Sequence, residues 1–370
     1  MNNSVLLHIV ERLETFLGRL PDSIRKPVLH ELTPLKELFL QQRPPRFVLT
    51  GSDPMPLLDF VARIFSDGAA ETPARVTLTG LYRWQKIMIG QHGSIQLLDA
   101  RGADEAALAL VREELRGQPA DLFFFLPAER DAKVTRQHEM ERLEKLLAWN
   151  IDFKAGAKLI ELCANDTESR SLPDETTSTP AIRASLIGVH SLSGTVRSTL
   201  ARELPNEARV EMVRIGGDRQ AQTEIAELLV KSTTAICTAV GAQPIPLADL
   251  PILTTLQLVM VSGIMYISGR ERSMRAATEF VGALGANVGF GMILREGTRA
   301  ALKFFPGWGN VVCGMVAGAG TFAIGRAATV YFVEGATLRD ARRAFAQNKK
   351  KSLARPAKKP KSLREPSSKP

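Results

Sequence analysis

Residues 51 to 58 read Gly-Ser-Asp-Pro-Met-Pro-Leu-Leu and fall between an apolar run, Arg46 to Thr50, and a helical pattern that begins near Leu57. A phosphate-binding sequence, G-x-x-x-x-G-K-[ST], would in that setting place converging backbone N–H groups, a lysine on the phosphates and a hydroxyl on magnesium. Gly51 supplies the first glycine, but the second glycine, the lysine and the hydroxyl are missing. Pro54 and Pro56 each remove a backbone donor, and Asp53 brings negative charge to the place a phosphate would fill. A helix N-terminus alone attracts anions far more weakly than a complete loop, so phosphoryl transfer is not expected here.

Other chemistry-bearing residues are sparse. Asp99, Ala100, Arg101 and Gly102 close an apolar run with D-x-x-G spacing, and Asn165, Asp166, Thr167 and Glu168 follow a later one. Turn capping is the plain alternative role for Asp99, and loop capping for Asn165 and Glu168. The five histidines are scattered with no H-x-x-x-H pair, and neither G-x-S-x-G nor C-x-x-C occurs. Cys163, Cys237 and Cys313 lie too far apart for a zinc or disulfide pattern, which fits a reducing compartment. No catalytic residue, metal or cofactor is expected.

The elements that would position these groups follow from hydrophobic periodicity. Residues 4 to 20 and 23 to 42 read as helices. Strands are expected at 46 to 50, 75 to 79, 84 to 90, 94 to 100, 121 to 127, 158 to 164 and 185 to 191. Helices are expected at 57 to 66, 104 to 116, 135 to 149 and 194 to 204. That alternation predicts an α/β sheet of mostly parallel strands, with 84 to 90 and 94 to 100 as an antiparallel hairpin. Pro205, Asn206, Gly216 and Gly217 mark residues 205 to 217 as a linker, and 218 to 345 read as helix throughout. The domain plan is therefore an N-terminal helical segment at 1 to 43, a sheet domain at 44 to 204, the linker, an all-α, apolar, glycine-rich domain at 218 to 345, and a disordered basic tail at 346 to 370.

The chain is 45% hydrophobic and 24% charged, an ordinary globular composition, with a formal net charge of +9. From Arg339 onward there are twelve Lys or Arg against Asp340 and Glu365, which leaves the first 338 residues at about −1. The basicity belongs to the end of the chain, so no nucleic-acid groove is expected on the folded body. Glu11 and Arg12 interrupt the first apolar stretch, so a signal peptide is not expected and the cytoplasmic side is the default.

Taken in order and spacing, Gly51, the Asp99 to Gly102 quartet, Asn165 to Glu168 and the Ser191 to Gly194 segment make residues 46 to 204 resemble the translation-factor-type, Era-like GTPases. The resemblance implies vestigial nucleotide-binding positions at Gly51, Asp99, Gly102, Asn165 and Glu168, in a P-loop GTPase-like sheet. Asp166 stands where the lysine of N-K-x-D would, and Glu168 where its aspartate would. The region 244 to 335, with PIPLADLPILTTLQLVM, FVGALGANVGFG, FFPGWGN and AIGRAATVYF, resembles the C-terminal domain of unknown function of YcjF-like inner-membrane proteins. That likeness implies membrane association and partnership with a GTPase domain.

Leu250 to Gly269 and Phe304 to Gly325 carry no charge and are each long enough to span a bilayer. If both crossed, the segment from Arg270 to Lys303 would lie outside with six Lys or Arg against three Glu, contrary to the positive-inside tendency. A one-leaflet hairpin and a closed helical bundle both avoid that conflict. The expected function is a non-catalytic pseudo-GTPase that scaffolds or regulates at the inner face of the bacterial membrane. Its partners would be a membrane lipid or membrane protein, a GTPase-domain or other protein, and nucleic acid only through the tail at 346 to 370. The alternatives are a nucleotide switch with an unconventional loop and an RNA- or ribosome-associated binding protein.

Overall fold

The computed structural model describes residues 18, 22–39, 41–65, 75–77, 80–90, 93–127, 133–153, 155–156, 158–163, 181–185, 191–242, 249–285 and 309–354. Apart from Gly18, the helix expected at 4 to 20 lies outside them. The chain clusters into two units: Leu32–Ala226 with Gly263–Arg272 in the first, and Glu227–Ser262 with the chain from Ser273 onward and residues 22–31 in the second.

In the first unit, helix α1 (Asp22–Phe39, completed here after its first turns) leads to β1 (Arg46–Gly51), α2 (Leu57–Phe65), β2 (Arg75–Thr77), β3 (Trp84–Ile89) and β4 (Gly93–Asp99). Then come α3 (Glu105–Gly117), β5 (Leu122–Leu126), α4 (Lys133–Asp152), β6 (Lys158–Cys163), β7 (Ala181–Ser185), α5 (Ser191–Glu203) and α6 (Asn206–Gly216). The strands form one sheet in the order β2-β3-β4-β1-β5-β6-β7. β4, β1, β5, β6 and β7 run parallel, while β3 is antiparallel to both β4 and β2.

A parallel strand covered on both faces should be apolar at every position, and the β5 sequence LFFFL is buried throughout. Alternate residues feed two cores. Phe47, Leu49, Phe124 and Leu126 pack with Phe60 and Ile64 of α2 and with Leu200 and Met212 of α5 and α6. Val48, Phe123 and Phe125 pack with Val111 and Leu115 of α3 and Leu146 of α4 on the other face. The result is a three-layer α/β unit with helices on both faces of a mostly parallel sheet. Each buried Phe or Leu contributes about 1.5 to 3 kcal/mol, and Phe124 adds ring contacts to Phe47 and Phe60, both at 5.3 Å.

Three expectations need correction. The last strand is Ala181–Ser185 instead of 185 to 191, and residue 191 already opens α5. The linker at 205 to 217 is helix α6, with Ala208, Val210, Met212 and Val213 fully buried. Pro205 is its N-cap and Gly217, at φ 62°, its left-handed C-cap, so the residues that suggested a loop are the stop signals of a helix. The basic tail does not begin at 346, because helix α11 (below) continues through Ala354.

The second unit is helical at every described position that has regular structure. It takes in most of α7 (Arg219–Gly241) and α8 (Asp249–Ile267), then α9 (Met274–Gly285), α10 (Gly309–Ala328) with a π-helical extension at Thr329–Val333, and α11 (Leu338–Ala354). Small residues let α10 lie close to α7. A Cβ on Gly314 would stand 2.7 Å from the Thr238 carbonyl oxygen, and one on Gly318 would stand 2.1 Å from Thr238 Oγ1. Gln257 Nε2 donates to Thr321 Oγ1 at 2.9 Å, and Phe280 stacks on Tyr331 at 5.4 Å.

Among the described residues, one helix, Cys313–Val333, is long and apolar enough to cross a membrane, and 61% of its most apolar 18-residue stretch is buried. The apolar stretch of α8, Leu253–Ile267, is shorter. That helix overlaps the later of the two uncharged segments, Phe304 to Gly325, only from Cys313 onward and runs past its end to Val333, while residues 304 to 308 lie outside the described residues.

The last residues of α8 and the turn after it belong to the first unit through a polar clasp. Glu211 of α6 accepts the Ser94 backbone N–H at 3.1 Å through Oε1. Its Oε2 accepts from Gln42 Nε2 at 3.1 Å and from the Tyr266 hydroxyl at 2.9 Å. The guanidinium groups of Arg214 and Arg272 lie 4.3 and 4.2 Å from the centre of the Tyr266 ring, and Arg272 also donates to Gln42.

Candidate functional site

β1 pairs with β4 on one side and β5 on the other, and the helices that follow β1 and β4, α2 and α3, cover opposite faces of the sheet. The chain therefore changes direction at the C-terminal end of β1. In an open α/β sheet that switch point is where the crevice for a ligand forms. Gly51 closes β1 there, and Asp99 closes β4 one strand away, the register pairing Leu49 with Asp99.

The loop between β1 and α2 has spent its donors on the protein. Gly51 lies opposite Leu126 of β5, and a Cβ on Gly51 would stand 1.9 Å from the Leu126 carbonyl oxygen. That oxygen accepts the backbone N–H of Ser52 at 3.0 Å and of Asp53 at 3.3 Å. The Met55 N–H donates to Asp53 Oδ1 at 2.7 Å, and Pro54 and Pro56 have no N–H to give. From Ser52 to Pro56 no backbone donor is left for an anion. Asp53, expected to repel a phosphate, turns its carboxylate back onto its own loop.

The polarity of the site is also reversed. Arg101 Nη1 donates to the carbonyl oxygens of Asp53 and Met55 at 2.9 and 2.7 Å, so the loop offers acceptors toward the crevice and a protein cation satisfies them. The same guanidinium holds Asp99 by two bonds, Nε to Oδ1 at 2.9 Å and Nη2 to Oδ2 at 2.7 Å. The Arg101 backbone N–H adds a third contact to Oδ1 at 3.1 Å. The hydrogen bonds that Arg101 donates to Asp99 are the largest influence on it and raise its pKa above the ordinary guanidinium value. The Arg101 side chain is 12% exposed and that of Asp99 25%, so the pair at the strand ends is partly open to solvent.

Gly102 follows in the left-handed region at φ 65°, where a turn ends in the Asp104 N-cap of α3, whose Oδ1 accepts the Ala107 N–H at 2.8 Å. Its conformation explains the glycine of D-x-x-G as a turn residue. Asn165 and Glu168 lie outside the described residues. Ser191 to Gly194, expected as a small loop, instead form the first turn of α5. The structure thus brings together Gly51, Asp99 and Gly102 from the expected set and adds Arg101 and the Leu126 carbonyl, which sequence reasoning missed. Arg101 binds residues 46 and 48 positions away, a relationship with no local signature.

Among the described residues no group of three or more His, Cys, Asp or Glu could hold a metal ion. Cys237 is buried, and burial pushes its thiol up to about 12, which leaves it inert at neutral pH. The chain matches no model of a known protein family and no curated protein sequence.

Proposed function

We propose that the sheet unit is a degenerate GTPase-type domain whose phosphate loop has become a structural turn. On this reading the protein is a non-catalytic scaffold or regulator at the inner face of the membrane. The observation that carries the reading is the fate of the donors at the switch point. Ser52 and Asp53 give theirs to Leu126, Met55 gives its own to Asp53, and Arg101 occupies the carbonyls of Asp53 and Met55. A nucleotide triphosphate carries several negative charges and needs converging N–H groups, a lysine and a metal. Here, among the described residues, the guanidinium of Arg101 is already shared between Asp99 and two carbonyls. The glycine-rich helices of the second unit, which resemble the domain of unknown function of YcjF-like inner-membrane proteins, favour a role in docking a membrane or protein partner over chemistry.

The test is calorimetric titration of the full chain with GTP and with ATP, each with magnesium. No heat of binding is expected at micromolar nucleotide. A micromolar dissociation constant for either would overturn the reading and favour a nucleotide switch.

A further inference from the structure

We propose that the solvent face of α11 is a docking surface for an anionic lipid bilayer, with Leu353 inserting at its C-terminal end. This rests on the membrane-side part of the reading above and is independent of the fate of the phosphate loop. Helix α11 is two-faced. Ala341 and Phe345 are buried, whereas Arg339, Arg343, Ala346, Lys350 and Leu353 are all exposed. Those positions are spaced at four, three, four and three residues, which puts them on one stripe of a helix. Gln347 and Lys351, also exposed, flank that stripe.

None of the stripe positions is itself a carboxylate. Asp340, the one acid of the helix, is held at the N-terminus by the Thr337 hydroxyl at 2.6 Å and stands 3.7 Å from Arg343. Four cations are thus displayed along roughly 20 Å of helix, at 1.5 Å per residue. The sequence beyond the helix continues the sign, with Arg355, Lys358, Lys359, Lys361, Arg364 and Lys369 against Glu365.

Charge alone would suit any polyanion, and Leu353 makes the choice. It is 50% exposed in the same turn as Lys350 and Lys351. An exposed leucine gains nothing against a sugar–phosphate backbone, but it gains apolar burial when a basic helix lies in the interface of a bilayer. Single-strand nucleic-acid sites add aromatic stacking to their charge, and the only aromatic of α11, Phe345, is buried, with the Lys349 ammonium 5.8 Å from its ring centre.

The experiment is co-sedimentation of the full chain with vesicles of phosphatidylserine mixed with phosphatidylcholine, and with phosphatidylcholine alone, at low and high salt. Each cation near an anionic leaflet is worth about fivefold in partitioning. A variant with Arg339, Arg343 and Lys350 all changed to Ala should therefore bind the mixed vesicles roughly a hundredfold more weakly. Leu353→Ser should lose severalfold at low salt while keeping the same salt dependence, because it removes insertion and no charge. All these side chains are exposed, so an unchanged thermal midpoint verifies the fold of each variant.

The proposal is overturned if the triple variant binds as the wild type does while changing Lys358, Lys359 and Lys361 to Ala abolishes binding, since the contact would then be the chain beyond the helix. It is equally overturned if the full chain ignores the mixed vesicles but retains polyuridine RNA in the same buffer. Neither outcome touches the pseudo-GTPase assignment, which the nucleotide titration alone decides.

Discussion

Arg101 grips both carboxylate oxygens of Asp99, at 2.9 and 2.7 Å, and with its remaining terminal nitrogen ties the end of β4 to the carbonyls of the loop after β1. The arrangement couples two neighbouring strand ends of the sheet. Arg101→Ala should lower stability by about 1 to 3 kcal/mol, since it removes charge-assisted bonds at a partly exposed position where water recovers some of the loss. Arg101→Lys should recover only part, because an ammonium cannot span the two carboxylate oxygens and the two carbonyls as a planar fork does. Urea unfolding measures both variants. An Arg101→Ala protein as stable as the wild type would show that the fork is ornamental.

Gly51 and Gly102 both look like motif glycines in the sequence, yet the structure predicts very different costs for replacing them. Gly51 lies at φ 109°, and its missing Cβ would sit 1.9 Å from the Leu126 carbonyl oxygen, so alanine there must push β1 and β5 apart. Gly51→Ala should cost at least about 3 kcal/mol and is expected to reduce the folded yield. Gly102 lies at φ 65° with open space around it, so Gly102→Ala should cost only about 1 to 2 kcal/mol of left-handed strain, and Gly102→Asn less. Equal thermal shifts for the two alanine variants would contradict this geometry.

How much of this was legible beforehand depended on whether the signal was local. The strand–loop–helix around Gly51 and the hairpin ending at Asp99 are visible in short apolar runs, because a buried parallel strand such as LFFFL announces itself residue by residue. Helix α6 was hidden because Pro205 and Gly217 punctuate a helix and a loop alike. Only the spacing of Ala208, Met212 and Ile215 between them, buried against the sheet, separates the two readings. The lysine-rich turns of α11 look like tail in sequence because composition cannot show that Phe345 anchors one face. At the site, the absence of the lysine and hydroxyl is plain in the sequence, but the pairing of Arg101 with Asp99 and the loop carbonyls is not. That contact forms only once β4 is laid beside β1.

The clasp around Glu211 gives a pH-dependent prediction. Burial, and then the adjacent Glu211 carboxylate, raise the Tyr266 phenol above its ordinary value of 10.0, so the folded state holds this proton longer than the unfolded chain does. The contribution to stability is complete below pH 10, where both states are protonated, and is lost as pH rises from the unfolded value through the folded one. Tyr266→Phe cannot ionise, so it lacks this alkaline loss. At neutral pH the variant should be about 1 to 2 kcal/mol less stable, having withdrawn a donor from a buried carboxylate. The gap between the two proteins should therefore narrow above pH 10. Urea titrations across that range read it directly, and a gap that stays constant with pH would remove Tyr266 as the titrating group.

The glycines of α10 test whether the second unit is held together by close backbone approach. Gly314 and Gly318 face α7: a Cβ on the first would meet the Thr238 carbonyl oxygen at 2.7 Å and Ala242 Cβ at 2.8 Å, and one on the second would meet Thr238 Oγ1 at 2.1 Å. Gly320, two residues further along the same helix, has nothing within 4 Å of its added Cβ. Gly314→Leu and Gly318→Leu should each cost on the order of 1 to 3 kcal/mol by forcing the helices apart. Gly318→Ala should cost less than its leucine counterpart if the Thr238 side chain rotates, whereas Gly314→Ala meets backbone that cannot. Gly320→Ala should instead stabilise by about 0.5 to 1 kcal/mol, since alanine is the better helix former and meets no neighbour. Gly335 is an intermediate case, free of contacts but at φ 71°, so Leu there carries backbone strain of about 1 to 2 kcal/mol and no overpacking. Thermal midpoints of the full-length variants rank all four sites. A Gly320→Ala protein destabilised as much as Gly314→Ala would mean that general loss of glycine, and not the seam with α7, sets the stability of this helix.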